Sequence, residues 1–142
     1  MVSVGFSPAG NSWVSREIDR RTGGLGFCHA FLVFHGVGLV FEAHSDFGVR
    51  FKSRGTFGET LVRLNLTTVQ EQEMLTAACL LAGNGYDFNG VLHFEVSMVK
   101  QDASKQFCSE ACVMVGQCAG LFAGMTPSDV SPNGLYKLLT VP

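Results

Sequence analysis

The chain has 142 residues, a length that buries one hydrophobic core without disulfide or metal staples, so a single domain over residues 1–142 is expected. Apolar residues make up 46% with 12 Phe among them, while charged residues make up only 15%, the composition of a core-rich protein. The net charge of -2 comes with Lys and Arg scattered along the chain, so no basic stripe points to nucleic acid.

No apolar run approaches the roughly eighteen residues of a membrane span, and MVSVGFSPAGNSW lacks a basic start followed by an apolar stretch. A cytoplasmic protein with no membrane span is expected, compatible with delivery to a cell wall by another protein. Five cysteines form no repeated pairs, which favours reduced thiols.

In chain order, a Gly/Pro-rich start leads to a short helix through WVSREIDRR, capped by Asn11 or Ser12, with Trp13 and Ile18 available to pack inward. TGGLG turns the chain into FCHAFLVF, an apolar run of strand length at residues 27–34. HGVG turns it again into strands at 39–44 and 47–52, the last with Phe47, Val49 and Phe51 alternating against Gly48, Arg50 and Lys52. TLVRLNL at 60–66 alternates as well, with Val62, Leu64 and Leu66 on one face. Four strands with short connections favour antiparallel pairing.

Helical character begins at Thr68, where a capping box with Glu71 opens TVQEQEMLTAACLLAG, closed by Gly83, Asn84 and Gly85. Its apolar face holds Met74, Leu75, Ala78, Leu81 and Ala82, with Cys79 placed in the same packing surface. Residues 87–100 are read as a helix capped by Asp87, although VLHFEV also alternates as a strand would. QDASKQ is a loop, CSEACVMVGQCAGLF is helical, and SPNGLYKLL is a last helix opening at Ser131 and Pro132.

Helical spacing sorts the three cysteines of QFCSEACVMVGQCAG. Cys112 and Cys118 fall in the arc of Ala111, Val115, Ala119 and Phe122 and read as core. Cys108 stands at the helix start, where unpaired N–H groups and the positive end of the dipole favour thiolate and can also hold an oxyanion. Zinc is the rival use of Cys108 and Cys112, but matched close pairs are missing, so no metal is expected.

A nucleophilic thiol needs an imidazole and an acceptor that orients it. His35 in the HGVG turn reads as solvent-exposed, and His93 has no polar companions. His29 lies inside an apolar strand, where an unpartnered ring is costly to bury. If HGVG closes a hairpin, paired residue numbers have an odd sum, which puts His29, Phe31 and Val33 on the face of Val40, Glu42 and His44. Glu42 is then opposite or diagonal to His29, with His44 or Asp46 as alternative orienting groups.

The order SWVSREIDRRTGGLGFCHAFLVF, FEA, GYDF, FCSEACVMV, SPNGLYKLL resembles the circularly permuted branch of the papain-like NlpC-type cysteine peptidases and amidases, especially the YiiX/YebB-like family. Such chains place the histidine strand first and the cysteine helix last. The likeness covers residues 12–139, with Cys28 standing where a small hydroxyl residue is more usual and no cell-wall-binding domain alongside. It implies Cys108 as nucleophile, His29 as base and later acid, Glu42 orienting the imidazole, and Tyr86 lining the substrate cleft. A plain aromatic core role for Tyr86 is the competing reading.

The expected fold is α+β, a permuted papain-like domain with an antiparallel sheet packed against helices. The expected function is a cysteine peptidase or amidase acting through a thioester acyl-enzyme on a peptide or amide substrate, cell-wall peptides leading, with no cofactor. Thioester-based acyl transfer to an amine or lipid is one alternative. A non-catalytic binding or structural module on the same fold is the other.

Overall fold

The computed structural model describes residues 1–11, 13–55, 58–87 and 105–141. Ser12, the side chain of Trp13, His93 and the helix-or-strand question over residues 87–100 lie outside the described residues, as does most of QDASKQ. The elements are β1 (Val2–Pro8), α1 (Trp13–Arg21), β2 (Phe27–Phe34), β3 (Leu39–His44), β4 (Gly48–Ser53), β5 (Thr60–Arg63), α2 (Thr68–Leu81), β6 (Gly85–Tyr86), β7 (Lys105–Gln106), α3 (Cys108–Cys118) and α4 (Pro132–Thr140), with a 3-10 turn at Pro127–Asp129.

The architecture is α+β: an antiparallel five-stranded sheet in the order β4-β3-β2-β1-β5 is packed against helices, and β6 and β7 form a separate parallel pair. One sheet face supplies Val4, Phe6, Ala30, Leu32, Phe41, Ala43 and Val49 to a core completed by Met74 and Ala78 of α2, Ala111, Cys112 and Val115 of α3, and Leu135 of α4. The opposite face carries only a small buried cluster of Phe31, Val33 and Val40.

β1 departs from expectation, because residues 2–8 read as a turn-rich start and instead lie between β2 and β5. Val2, Val4 and Phe6 alternate into the core as a strand requires. Gly5 masks that alternation for a packing reason. A Cβ at Gly5 would stand 2.2 Å from Cε2 of Phe31, its register partner, so the bare backbone is what lets the ring lie across β1.

Several boundaries shift. β4 begins at Gly48, whose φ of 68° suits glycine and whose Cβ would meet the Asn84 carbonyl oxygen at 2.4 Å, so Phe47 sits in the turn and is 60% exposed. β5 ends at Arg63, although Leu64 remains buried on the expected face. The α2 cap falls one residue earlier than read. Thr67 Oγ1 accepts from Gln70 N–H at 3.3 Å and Gln70 Oε1 accepts from Thr67 N–H at 3.0 Å. Cys79 is exposed, because the buried stripe of α2 is Met74, Ala77 and Ala78 and Cys79 lies just past it. Gly85 belongs to β6, and the end of the expected QDASKQ loop is β7.

α3 stops at Cys118 rather than continuing to residue 122, since Gly120 and Phe122 both turn to positive φ. Phe122 folds back over Gly116, where a Cβ would sit 2.5 Å from its ring. Cys118 is exposed, not core. Its azimuth matches Ala111, but it lies about 10 Å further along the axis, where it borders an open surface groove with Val69, Gln72, Glu73, Thr76 and Leu80 of α2. The last helix opens as expected, with Ser131 Oγ accepting from Gly134 N–H at 3.0 Å. Asn133 then ties it to the sheet: Oδ1 accepts from Phe27 N–H at 3.2 Å, and Nδ2 donates to Asp19 Oδ1 at 3.0 Å and Thr22 Oγ1 at 2.9 Å. That junction fixes the start of β2, the strand that carries His29.

Candidate active site

The β2–β3 register pairs Leu32 with Phe41, Val33 with Val40 and Phe34 with Leu39, so the sum of paired numbers is odd, as the hairpin argument requires. His29 and Glu42 therefore share a face and meet diagonally, with His29 Nε2 3.2 Å from Glu42 Oε2. His44 also faces His29, ring edge to ring plane at 6.3 Å, but it makes no hydrogen bond to that ring. Asp46 is turned toward His44 and is largely exposed, so Glu42 is the carboxylate that bonds the His29 ring.

Among the described residues, β2 and β3 pair at these three positions, and the strands part beyond them. The start of α3 fills that place. The Cys108 sulfur lies close enough to the His29 ring and to the Ala30 backbone N–H, which has no β3 partner there, for both to favour its thiolate. This is how a helix on one sheet face delivers a thiol to a histidine directed to the other. Glu42 engages Nε2, so Nδ1 is the His29 nitrogen that the carboxylate does not use.

The α3 start is built to favour an anion. Its N-cap residue is Phe107, which has no side-chain oxygen to offer the first-turn N–H groups. Glu110 reaches back to the Phe107 N–H at 3.2 Å, and the Ser109 N–H bonds the Cys108 sulfur. Cys108 is only 4% exposed, and burial alone would raise its pKa. The hydrogen bond and charge of His29, with the Ala30 and Ser109 N–H groups, outweigh that burial and hold the thiol below its usual value.

His29 shows the reciprocal balance. Burial opposes its charge, but bonds to the Cys108 sulfur and to the Glu42 carboxylate raise it to about 9. Glu42 is 1% exposed, and burial pushes its pKa up, yet bonds from His29, Lys52 and Arg50 hold it well below the carboxylate range. Each of the three shifts runs toward the charged form of its group: thiolate for Cys108, imidazolium for His29 and carboxylate for Glu42.

Tyr86 lies on β6, half-buried against the core, with burial and then the charges of Cys108, Asp87 and Cys28 raising its phenol. Cys28 donates from Sγ to the Pro8 carbonyl at 3.4 Å, and burial raises its thiol, so it remains a neutral neighbour. Cys112 is buried with a strongly raised thiol, which agrees with a packing role.

His35 is half-buried rather than exposed, held between Ser3 Oγ at 2.9 Å and Arg54 Nη1 at 2.8 Å. Because Arg54 can only donate, Nδ1 accepts and Nε2 carries the proton toward Ser3. That tautomer cannot take a proton from Ser3, so the pair is not a nucleophile and base.

Two residues of the site were not singled out from sequence. Arg50 donates to Glu42 Oε1 from Nε at 3.0 Å and Nη2 at 2.8 Å, and Lys52 Nζ donates to Oε2 at 2.8 Å. Carrying the pairing parity one strand further would have found them, since Arg50 is the register partner of Glu42.

Among the described residues, no three His, Cys, Asp or Glu side chains gather to hold a metal ion, and no helix is long and apolar enough to cross a membrane. No protein-family model matches the chain, and no curated protein matches it.

Proposed function

We propose that the chain is a cysteine-dependent hydrolase of amide bonds on a permuted papain-like fold, with Cys108, His29 and Glu42 as its machinery. The observation that carries this reading is the Cys108–His29–Glu42 line set at a helix start with no side-chain cap. A thiolate stabilised at a helix N-terminus and paired with an oriented imidazolium is what acyl transfer through sulfur needs.

The Cys108 thiolate attacks the carbonyl carbon, and backbone N–H groups at the α3 start receive the oxyanion. His29 then gives its Nδ1 proton to the departing amine nitrogen as the C–N bond breaks and a thioester forms. Neutral His29 next takes a proton from water, the hydroxide adds to the thioester, and the Cys108 thiolate departs. Glu42 keeps the imidazole in the required orientation throughout. Tyr86 borders the sulfur and lines the substrate side. Peptide bonds, cell-wall peptides first among them, are the substrate class that the family resemblance suggests.

An activated ester such as p-nitrophenyl acetate tests this without knowledge of the substrate. Intact-mass analysis should show one acetyl group on Cys108, absent in Cys108→Ser and slowed at least 100-fold in His29→Ala. Acylation no faster than that of a free cysteine would reduce the chain to a binding module. Faster loss of the acyl group to an added amine than to water would reassign the chemistry to transfer.

A further inference from the structure

Glu42 carries more partners than an orienting carboxylate needs. One oxygen suffices to hold an imidazole, and a bidentate arginine already compensates a buried carboxylate. Here Arg50 takes Oε1 with both Nε and Nη2, while Lys52 Nζ at 2.8 Å and His29 Nε2 at 3.2 Å share Oε2. Because they share one atom, the Lys52 and His29 nitrogens are within 6.0 Å of each other.

We propose that Lys52 is a positioning residue that limits how tightly Glu42 holds the His29 imidazolium, with Arg50 fixing the opposite edge of the carboxylate, so that His29 can release its proton to a leaving group. This rests on the hydrolase reading above. A buried Glu42 acting alone would bind the imidazolium strongly and make it a poor acid, whereas a general acid works best when its pKa lies near the working pH. Lys52 offsets that in two ways. It occupies acceptor capacity on the oxygen that His29 uses, and its charge opposes the imidazolium.

Placement favours this role over an incidental ion pair. Lys52 is on β4, the edge strand, with its side chain 37% exposed, so solvent is open to it, yet its ammonium turns onto a carboxylate that is 1% exposed. It also lines a cleft of about 430 Å³ shared with Ser7, His29, Glu42, His44 and Glu59, so it is within reach of the chemistry without touching the sulfur. Among the described residues, the charged and titratable groups around His29 are Cys108 from α3, Glu42 and His44 from β3, and Lys52 and Arg50 from β4, with Glu59 across the cleft. Removing the Lys52 charge leaves the nucleophile, the base, the orienting group and the Arg50 contact to Glu42 in place.

The test is an NMR titration of the His29 ring in the full chain, comparing wild type with Lys52→Met, Lys52→Gln and Lys52→Arg. Removing a cation within 6.0 Å in a partly solvated cleft should raise the His29 pKa by about one unit. Lys52→Arg, which keeps the charge, should leave it within about 0.3 unit. Two neutral variants are used because an apolar side chain on an edge strand invites association. If wild-type His29 titrates near 9 and the neutral variants leave it unmoved or lower it, Lys52 is only an ion-pair partner and the inference is overturned. If wild-type His29 titrates at or below 6.5, the Cys108–His29 pair is absent and the hydrolase reading falls with it.

Discussion

Glu42→Gln should cost more stability at pH values where His29 is charged than where it is neutral. The amide keeps the shape of the carboxylate, and its oxygen can still accept from Arg50. Its NH2 group then faces Lys52 Nζ and His29 Nε2, two donors where an acceptor stood. Hydrogen bonds to charged groups contribute about 1.5–3 kcal/mol each. Lys52 is 37% exposed and can swing to water, so its share is discounted, while His29, 22% exposed, cannot easily do so. A net loss of about 2–3 kcal/mol at pH 7 follows, which at a urea m-value of about 1.5 kcal/mol/M lowers the midpoint by about 1.5 M. His29 has a folded-state pKa raised from 6.5 to about 9, so its contribution is fully present below 6.5 and is lost as pH rises through about 9. The gap between wild type and variant should therefore shrink by about 1 kcal/mol when urea unfolding, followed by circular dichroism, is repeated at pH 10. A loss under about 0.5 kcal/mol at pH 7, or a gap of the same size at pH 10, would refute the charged His29–Glu42 contact.

Gly5→Ala places a Cβ 2.2 Å from the Phe31 ring, so the melting temperature should fall by an amount matching about 1–3 kcal/mol, and a second change, Phe31→Leu, should return part of it. Full additivity of the two would show that the ring does not depend on the bare glycine. Asn133→Ala removes the bonds to Phe27, Asp19 and Thr22 and should cost about 2–3 kcal/mol in urea unfolding. It should also slow Cys108 acylation because β2 loses its anchor. Unchanged acylation in a destabilised variant would separate that anchor from the site.

The site was legible where the argument did not depend on details of the loops. Alternation fixes which strand residues share a face whatever the even loop length, so Glu42 could be set beside His29 before the turn was known. The place of Cys108 at a helix start was legible because a polar loop preceding CSEACV marks one. Exposure was harder to read. Cys79 and Cys118 have the composition and near-helical spacing of core residues, but whether a helix face is covered at a given height depends on its tertiary neighbours. β1 was hidden because Gly5 serves a close approach by Phe31, 26 residues away in sequence, and locally resembles a turn residue. The Lys52 and Arg50 clamp was hidden for a related reason: charges alternating on an edge strand read as a solvated face, and only the position of Glu42 turns them inward.

The measurement closest to the central claim is the pH dependence of iodoacetamide alkylation, mapped cysteine by cysteine by mass spectrometry in wild type and His29→Ala. Cys108 should react well below the free-thiol pKa of about 8.5, ahead of Cys28, Cys79, Cys112 and Cys118. Its profile should change again near 9 as His29 loses its proton, and the low-pH advantage should vanish in the mutant. Cys108 reacting no faster than the buried Cys112, or keeping its advantage without His29, would contradict the thiolate–imidazolium pair.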